Sequence, residues 1–550
     1  MKMGQEKPGR PANTRGMEKL VTPPDSASAS LQDRLLQLEQ QNSQLAQQNA
    51  ELAARLKWYE EQLRLSLQKK YGASSERTHP GQLQLELFNE AEAVADPRRE
   101  EPSLETITYR RQKGRKRRED VLAGLPEEVI VYDLPEAEQV CPCCGEALHH
   151  MSDEVREELK LIPAQAKAVK HVRRVYACRQ CEREGTETPI ITAPMPAPAA
   201  PGSLASPSAL AHIMTQKYVD ALPLYRQEQQ LARLGLDLSR QTMANWMLNA
   251  SEQWLQPLYD RLHMHLLTRR VLHADETTLQ VLQEPGRPAQ TESYLWLYRT
   301  GRDGPAIVLY DYQMTRGGEH PAKFLAGYQG YLQVDGYAGY HRIAGATLVG
   351  CWAHARRKFD EALKVLPAGQ RAGAAAQTGL TFCNQLFAIE RSIPQKAPPE
   401  ERLQVRTEKS RPVADSFLAW LRAMEPQVLP KSMLGQAVAY CLNQWAKLIV
   451  FLQDGRLELD NNRSERSIKP VVIGRKNWLF ANTPRGARAS ATIYSIIETA
   501  KANGLNPFAY LTWLFEELPQ LGTKPKLEAL DRMLPWSESL PQTCRHRTRS

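Results

Sequence analysis

Five short apolar segments between residues 271 and 351 constrain the fold of this 550-residue chain more than any other feature. Their length and their β-branched and aromatic content are typical of strands. The strands are expected at 271–282, 293–298, 306–311, 331–334 and 346–351, with a short helix at 321–326. Three strands, a helix, further strands and a helix-rich remainder follow the order of a ribonuclease-H-like α/β sheet. In such a sheet the first and fourth strands lie side by side.

Three carboxylates fall at informative places in this order. Asp275 lies in the first predicted strand, Asp335 follows the fourth, and Glu465 lies near the start of a later predicted helix. Neighbouring strands would bring Asp275 and Asp335 together, and the helix could add Glu465. Such acids can hold two divalent metals about 3.5–4 Å apart, the arrangement that drives in-line displacement at phosphorus. In a basic, multidomain chain this pattern indicates DNA cleavage and joining.

Each acid also has an ordinary structural interpretation. Asp275 could cap a turn at a strand end, with Glu276 as the true ligand. Asp335 precedes Gly336, a common turn pair. Glu465 has the spacing of a capping box with Asn462 in the cap position. The shared context of the three acids, rather than any one of them, favours the metal site.

Bulk composition sets broad limits. The length predicts three or four domains. The net charge of +9 and a pI near 9.0 favour a polyanionic partner. No run of about 18 apolar residues occurs, so no membrane span is expected, and the polar N-terminus predicts no secretory signal. Nine cysteines are too sparse for a disulfide scaffold and fit a reducing cytoplasm.

The N-terminal part predicts an oligomerisation helix. Residues 1–30 are rich in Pro, Gly and Ser and are expected to be disordered. Two heptad series then predict a coiled coil over 31–68: Leu31, Leu38, Leu45, Leu52 and Tyr59, with Leu35, Asn42, Asn49, Leu56 and Leu63. Asn42 and Asn49 at core positions favour a parallel dimer. The alternative is one amphipathic helix packed on another domain.

Residues 69–125 are expected to form a basic linker. Seven of the nine residues from Arg110 to Arg118 are cations. Such a cluster stays extended until it meets a polyanion, and a solvated linker is the alternative. The DNA contacts predicted here are Arg115, Lys116, Arg117 and Arg118.

Two Cys-x-x-Cys pairs predict a zinc-binding domain over 126–188. Cys141, Cys144, Cys178 and Cys181 are the expected ligands, and Cys143 is a spare thiol. Four thiolates leave no open coordination position, so the Zn²⁺ is expected to be structural. A redox pair is the alternative. The alternating segment 168–176 predicts a hairpin, and the Pro-rich segment 189–207 predicts a stiff linker at the main domain boundary.

Residues 208–265 predict a helix-turn-helix DNA-binding region, although ordinary helical bundles share its pattern. One helix ends near Gly235 and Ser239 caps the next. The expected packing positions are Leu231, Leu234, Leu238, Met243 and Trp246. Arg240, Gln241 and Asn245 are expected to face a DNA groove.

Taken in order, these motifs resemble a DDE transposase of the insertion-sequence-66 family, the large subunit of a bacterial mobile element. The matching stretches are 218–228, 236–242, 273–277, 334–337, 350–359, 460–470 and 494–504. Coiled coil, knuckle pair and helix-turn-helix come in the family's order. The resemblance covers the chain from residue 31 to about 520.

The resemblance implies a site and its partners. Asp275, Asp335 and Glu465 carry over as the ligands of two catalytic Mg²⁺ ions, with Mn²⁺ as an alternative. The catalytic domain would span 266–485 with a helical insertion at about 362–455. Helices at 486–520 and a basic tail at 521–550 would follow. Element ends and target DNA are the implied partners, with accessory proteins of the element, in the bacterial cytoplasm at the nucleoid.

Further cations near the triad predict DNA contacts. Arg356, Arg357 and Lys358 follow the fifth strand, and Lys469 shares a helix face with Glu465. For Lys469 the alternative is a solvated lysine, and Trp478 could fill the core or stack on a base. Two other functions compete with transposition: a decayed, non-catalytic DNA-binding regulator, and a nuclease of the same fold that only hydrolyses.

Overall fold

The computed structural model describes residues 165–177 and 190–545, and the isolated positions 38, 40–42, 44, 45, 56, 179 and 183. The described positions from 38 to 56 are all helical, as the predicted coiled coil requires. The four predicted zinc ligands, the basic cluster at 115–118 and most of the coiled coil lie outside the described residues.

A small two-stranded sheet begins the described part. Strand β1 (Val175–Ala177) pairs antiparallel with β2 (Ile190–Thr192). The hairpin predicted within 168–176 is therefore wrong, because residues 168–174 have no regular structure. The partner strand comes instead from the start of the Pro-rich segment.

The Pro-rich segment, predicted to be a stiff linker at the main domain boundary, packs on the body of the protein. The Trp254 indole donates to the Ala199 carbonyl (2.7 Å), and the Gln520 amide donates to the Ala197 carbonyl (3.0 Å). Ala199 is buried. The small alanines between the prolines let this segment lie flat on the helices, which composition alone did not reveal.

Four helices follow: α1 (Pro207–Tyr218), α2 (Leu224–Arg233), α3 (Arg240–Ala250) and α4 (Gln256–Leu267), with a π-helical segment Ser251–Leu255 before α4. The predicted start of α3 is confirmed, because the Ser239 hydroxyl accepts from the Thr242 amide (3.2 Å). Gly235 turns the chain at φ +80°. Met243 is buried as predicted, whereas Leu234 is exposed and does not pack.

The five predicted strands form one mixed sheet. They are β3 (Val271–Gln280), β4 (Glu292–Thr300), β5 (Val308–Gln313), β6 (Gly330–Gln333) and β7 (Ala346–Val349). The spatial order is β5-β4-β3-β6-β7. Strands β3, β4 and β5 pair antiparallel, and β6 pairs parallel with both β3 and β7. The predicted adjacency of the first and fourth strands is confirmed. Helix α5 (Glu319–Phe324) connects β5 to β6.

A helical region with its own core follows the sheet. Its helices are α6 (Trp352–Val365), α7 (Ala375–Ser392), α8 (Pro399–Val405), α9 (Arg411–Met424) and α10 (Met433–Leu448). Trp352, Phe359 and Phe417 are buried in this second apolar cluster. The Trp352 indole donates to the Leu448 carbonyl (2.8 Å), which ties the start of α6 to the end of α10.

The chain then returns to the sheet through α11 (Asn462–Trp478), α12 (Pro484–Ala502), α13 (Pro507–Glu517) and α14 (Leu527–Asp531). The Tyr310 amide of β5 donates to the Ser495 hydroxyl of α12 (2.8 Å). The segment expected to be a basic tail packs instead through residue 545, with Leu534 and Cys544 buried in the main core. None of the described helices is both long and apolar enough to cross a bilayer.

Candidate metal and DNA site

Asp275 and Asp335 lie next to each other across two neighbouring parallel strands. His273 of β3 is in register with Gln333 of β6, and each aspartate comes two residues later. Asp275 lies inside the long strand β3, whereas Asp335 follows the shorter β6. The short β6 therefore leaves Asp335 in a loop beside the strand that carries Asp275.

Asp335 and Glu465 both lie close enough to Asp275 to act on its carboxyl group. Burial is the largest cause that raises the pKa of Asp275 well above its usual value. The carboxylates of Glu276, Asp335 and Glu465 raise this pKa further, while the Glu276 amide, which donates to Asp275 Oδ1 at 2.9 Å, lowers it. Repulsion of this kind requires that the carboxylates lie near one another. Folding thus brings Asp275 and Glu465 near each other although they are 190 residues apart in the sequence.

Asp335 also makes the turn that its sequence context predicted. Its Oδ1 accepts from the Tyr337 amide (3.0 Å), and Gly336 has a φ of +114° that favours glycine. The Asp335 carbonyl accepts from the Tyr440 hydroxyl of α10 (2.9 Å). The helical region therefore holds the Asp335 loop directly.

Glu465 does not take part in a capping box, so that interpretation is wrong. The cap of α11 is Asn461 rather than Asn462, and Asp460 Oδ1 accepts from the Asn462 amide (3.0 Å). Glu465 Oε2 lies 3.8 Å from Arg357 Nη2. Its buried Oε1 has no hydrogen-bond partner among the described residues. A buried carboxylate oxygen without a donor is what a metal ligand looks like before its cation binds.

Asn461 connects the strand of Asp275 to the helix of Glu465. Its amide nitrogen Nδ2 donates to the Ala274 carbonyl (2.9 Å), and its Oδ1 lies 3.0 Å from His273 Nδ1. Because Nδ2 is the donor to Ala274, Oδ1 must accept, and His273 therefore carries its proton on Nδ1. The Asn461 backbone amide donates to Cys351 Sγ (3.2 Å). Sequence reasoning missed this role because no local pattern marks it.

Glu276 has partners of its own. Arg316 Nη2 lies 2.6 Å from Glu276 Oε1, and the Tyr340 hydroxyl donates to Oε2 (2.5 Å). Burial raises the pKa of Glu276 despite these bonds. Both Glu276 oxygens thus have close partners, whereas Glu465 Oε1 has none among the described residues. Arg316 also lies over the Tyr337 ring at 4.2 Å, and it is a cation close to the acids that the sequence did not single out.

Ion pairs around the buried Glu458 hold the N-terminal part of α11 in place. Glu458 pairs with Arg463 (2.7 Å) and with Arg302 (3.0 Å). Burial alone would raise the pKa of Glu458, but His273, Arg463 and Arg302 outweigh it and lower the pKa to about 2. Arg299 of β4 donates to the Ser467 hydroxyl of α11 (2.6 Å). These contacts fix the first turns of the helix that carries Glu465.

The donor set fits hard divalent cations. Carboxylate oxygens are the ligands that Mg²⁺ and Mn²⁺ prefer, and Glu465 Oε1 lacks a partner in the described part of the chain. Among the described residues, no three His, Cys, Asp or Glu side chains are arranged so that they could hold a metal ion as they stand. Asp335 and Glu465 therefore both lie near Asp275, but the three acids do not form a closed metal cage.

The predicted DNA contacts lie on two separate surfaces. Arg240, Gln241 and Asn245 are exposed on α3, where the Gln241 side chain donates to Asn245 Oδ1 (3.3 Å). The Arg240 guanidinium lies over the Tyr225 ring at 5.6 Å. This exposed face leaves the three side chains available to a groove, and DNA contact stays a prediction.

The second surface surrounds the acids. Arg357 is half exposed beside Glu465, and Lys358 lies over the Tyr440 ring at 5.1 Å. Arg356 donates to Asn384 Oδ1 (2.8 Å) and is thus turned toward α7. Lys469 is partly exposed on α11. Of these cations, Arg357 has the direct contact with a predicted metal ligand.

Comparisons with known families agree with this architecture. Residues 202–489 match the model described as "Transposase IS66 family", which covers more than half of the chain. Residues 138–182 match a zinc-finger binding domain of transposase IS66, and 495–536 match the IS66 C-terminal element. Residues 58–130 match a model described as "Transposase C of IS166 homeodomain". That range includes the whole of the segment 69–125, whose composition predicted a basic linker.

Relatives in Sinorhizobium fredii (strain NBRC 101917 / NGR234) are similar over most of their length. The uncharacterized protein y4hP is 33% identical over 86% of this chain and 87% of its own. The uncharacterized protein y4jD is 33% identical over 77% of this chain and 83% of its own. The similarity therefore spans the zinc-finger, sheet and helical parts together.

Proposed function

Because this chain belongs to the IS66 family of transposases, we propose that it cleaves DNA at the ends of its mobile element and joins them to target DNA. The family supports a transposase role and implies DNA as the partner. It also implies a divalent metal, and the zinc-finger match implies zinc. The mechanism and the residue roles below are our proposal.

One observation carries the catalytic part of the proposal. The carboxylates of Asp335 and Glu465 both raise the pKa of Asp275, although they come from different segments. Groups with like charge that share a partly buried site are typical of metal centres and active sites. The strand order β5-β4-β3-β6-β7 supports a ribonuclease-H-like sheet as the scaffold.

In this mechanism Asp275, Asp335 and Glu465 would hold the cations. Two bound Mg²⁺ ions would supply activation of the attacking oxygen and neutralisation of charge at the scissile phosphate. Arg357 leaves Glu465 and contacts a phosphate of the bound strand. Asn461 and the Glu458 cluster hold the first turn of α11, so that the Glu465 carboxylate keeps its position. Lys469 contacts a neighbouring phosphate from the same helix.

The remaining parts of the chain bring DNA to this centre. Exposed Arg240, Gln241 and Asn245 on α3 read the element end. Cys141, Cys144, Cys178 and Cys181 all fall inside the matched zinc-finger range 138–182, which supports a structural Zn²⁺ bound by four thiolates. The predicted coiled coil pairs two chains, so that both element ends meet in one complex.

Strand joining by purified protein tests this function. A pre-cleaved element end is mixed with plasmid, full-length zinc-loaded protein and Mg²⁺. Joined products are expected, and Asp275→Asn, Asp335→Asn and Glu465→Gln should each abolish them while DNA binding persists. Asp415→Asn, an exposed change on α9, serves as the matched control. Full joining by Asp335→Asn would contradict the triad.

The same experiment separates the competing functions. Mg²⁺-dependent cleavage without joined products would favour a nuclease that only hydrolyses. DNA binding with no Mg²⁺-dependent chemistry, unaffected by Asp275→Asn, would favour a non-catalytic regulator.

A further inference from the structure

Two large apolar side chains stand out from the surface directly after α11. Leu479 is 62% exposed and Phe480 is 42% exposed. We call this pair the apolar turn. The preceding Trp478 packs against the main core, so the core interpretation of that tryptophan fits. Leu479 and Phe480, which follow Trp478, are exposed on the surface.

The backbone at the apolar turn is held in a strained conformation. Leu479 has φ 63° and ψ −53°, and the Phe480 amide donates to the Trp478 carbonyl (2.8 Å). This is a γ-turn with positive φ, which is rare for a residue that has a side chain. Such strain persists only where the surrounding structure imposes it, and it concentrates at functional sites.

The residues on both sides of the turn impose this conformation. On one side, the Leu479 amide donates to the Arg475 carbonyl at the end of α11 (2.7 Å). On the other, the Ala481 amide donates to the Gln280 carbonyl at the end of β3 (2.9 Å). Because helix and strand are both anchored, Leu479 and Phe480 are pushed outward between them.

The apolar turn adjoins the start of the predicted helix-turn-helix region and the far end of β3. The Asn477 side chain donates to the Ala221 carbonyl between α1 and α2 (3.1 Å), and Lys217 of α1 lies 5.8 Å from the Trp478 ring. Ala481 forms a bridge with Val281, just beyond the end of β3. Val281 comes six residues after Asp275, or roughly 20 Å along the extended strand.

The local charge favours a polyanion over an apolar protein partner. Residues 475–488 contain Arg475, Lys476, Arg485 and Arg488 and no acidic residue. Lys476, Arg485 and Arg488 are exposed, and Arg485 also pairs with Glu252 (2.6 Å). Cations on both sides of an apolar tip match the pattern of proteins that insert Leu or Phe between base pairs while basic residues bind the phosphates.

We propose that Leu479 and Phe480 insert into the element-end duplex within about one helical turn of the cleavage site and unstack one base step. Unstacking frees the strand end to reach Asp275, Asp335 and Glu465, because a stacked duplex end resists this displacement. The occupant of the apolar turn is thus a DNA base step. This inference rests on the proposed transposase function, since it needs DNA to span α3 and the acids.

Base unstacking can be measured separately from catalysis. Element-end duplexes with 2-aminopurine at successive positions are bound by the full-length zinc-loaded protein without Mg²⁺, and fluorescence reports unstacking. The test variant is L479A/F480A. The matched control is F508A/L521A, which removes a Phe and a Leu that are 40% and 37% exposed elsewhere.

Wild type and control should give a fluorescence rise at one base step, and L479A/F480A should lose it while still binding. With Mg²⁺, joining by L479A/F480A should fall by at least about tenfold, because the variant no longer offsets the cost of unstacking the base step. A mismatched or abasic substrate at that step should restore joining to within about twofold of wild type.

Three results would overturn the inference. Wild type could join DNA without any fluorescence rise, or L479A/F480A could behave like wild type. The variant could also change only the oligomeric state, which would assign the turn to a protein contact. If wild type instead shows a rise that depends on Leu479 and Phe480 but never cleaves or joins, insertion stands and the proposed function fails.

Discussion

Asn461 and His273 form a buried hydrogen bond of 3.0 Å across the junction of α11 and β3. Asp275 lies two residues after His273, and Glu465 lies four residues after Asn461. The bond therefore fixes the strand of one predicted metal ligand against the helix of another. Catalysis by carboxylates depends on such fixed geometry, because small displacements of the ligands weaken it strongly.

Removal of the Asn461 amide should weaken this junction. Asn461→Ala leaves the Ala274 carbonyl and His273 Nδ1 buried without their partner, so we expect a loss of about 2 kcal/mol in the free energy of unfolding. Joining activity should fall further than stability explains, because Glu465 loses its fixed position. Urea unfolding and joining assays measure both effects. Gln385→Ala, a change at an exposed amide on α7, should alter neither. Unchanged joining in Asn461→Ala would contradict the positioning role.

Arg357 should compete with metal for Glu465. The two side chains are 3.8 Å apart and Arg357 is 50% exposed, so the pair contributes at most about 1 kcal/mol. Arg357→Gln should tighten Mn²⁺ binding by up to about fivefold without DNA and should weaken DNA binding. Electron paramagnetic resonance measures free Mn²⁺. Arg356→Gln, whose side chain binds Asn384, should leave Mn²⁺ affinity unchanged. Weaker Mn²⁺ binding by Arg357→Gln would oppose this account.

Glu276 and Asp275 should behave differently although they are adjacent. Glu276→Gln breaks the ion pair with Arg316 and alters the bond from Tyr340, so it should destabilise the protein by about 1–3 kcal/mol. Mn²⁺ stoichiometry should nevertheless remain as in wild type. Asp275→Asn should lose Mn²⁺ binding. If Glu276→Gln abolishes metal binding and Asp275→Asn keeps it, Glu276 is the ligand.

The raised pKa of Asp275 predicts how metal-free stability depends on pH. Burial and the neighbouring carboxylates raise this pKa in the folded state. The stabilising contribution of the protonated form is complete below the unfolded pKa of about 4 and is lost as the pH rises through the folded pKa. Asp275→Asn removes that loss, so its melting temperature should increasingly exceed that of wild type as the pH rises.

Thermal unfolding at several pH values, with zinc retained and magnesium omitted, checks this dependence. Asp415→Asn, an exposed change, should follow the wild-type curve. Parallel curves for Asp275→Asn and wild type would show that neither burial nor the neighbouring carboxylates raise the pKa of Asp275 in the folded protein.

The exposed face of α3 should carry element recognition. If Arg240 binds phosphate, Arg240→Ala should weaken binding to all sequences and reduce the salt slope by about one. Gln241→Ala should relax the preference at one base pair by about 1–3 kcal/mol. Fluorescence anisotropy with element-end and unrelated duplexes measures both. Arg391→Ala, exposed on α7, is the control. Wild-type discrimination in both α3 variants would place recognition elsewhere.

The sequence predicted the sheet well because its signals are local and periodic. The short apolar segments predicted the strands, and their order with one helix predicted the pairing of β3 with β6. The start of α3 was predictable for the same reason, since Ser239 has a standard capping position. The prediction that Leu234 packs was wrong, because an apolar residue at a turn does not by itself show whether a neighbouring side chain covers it.

The site was predicted only in part because its contacts are long-range. Glu465 has the spacing of a capping box, and only the fold shows that Asp460 bonds to Asn462 instead. Arg316 meets Glu276 across 40 residues, and Asn461 meets His273 across 188. No periodic pattern marks such pairs. The docking of the Pro-rich segment on Trp254 likewise depends on a surface formed by distant residues.

Anomalous diffraction from Mn²⁺-soaked crystals of the protein bound to element-end DNA tests the central claim most directly. The account predicts two Mn²⁺ peaks about 3.5–4 Å apart, bounded by the carboxylates of Asp275, Asp335 and Glu465. Peaks that lie away from these three side chains, or none at all with the DNA in place, would contradict it.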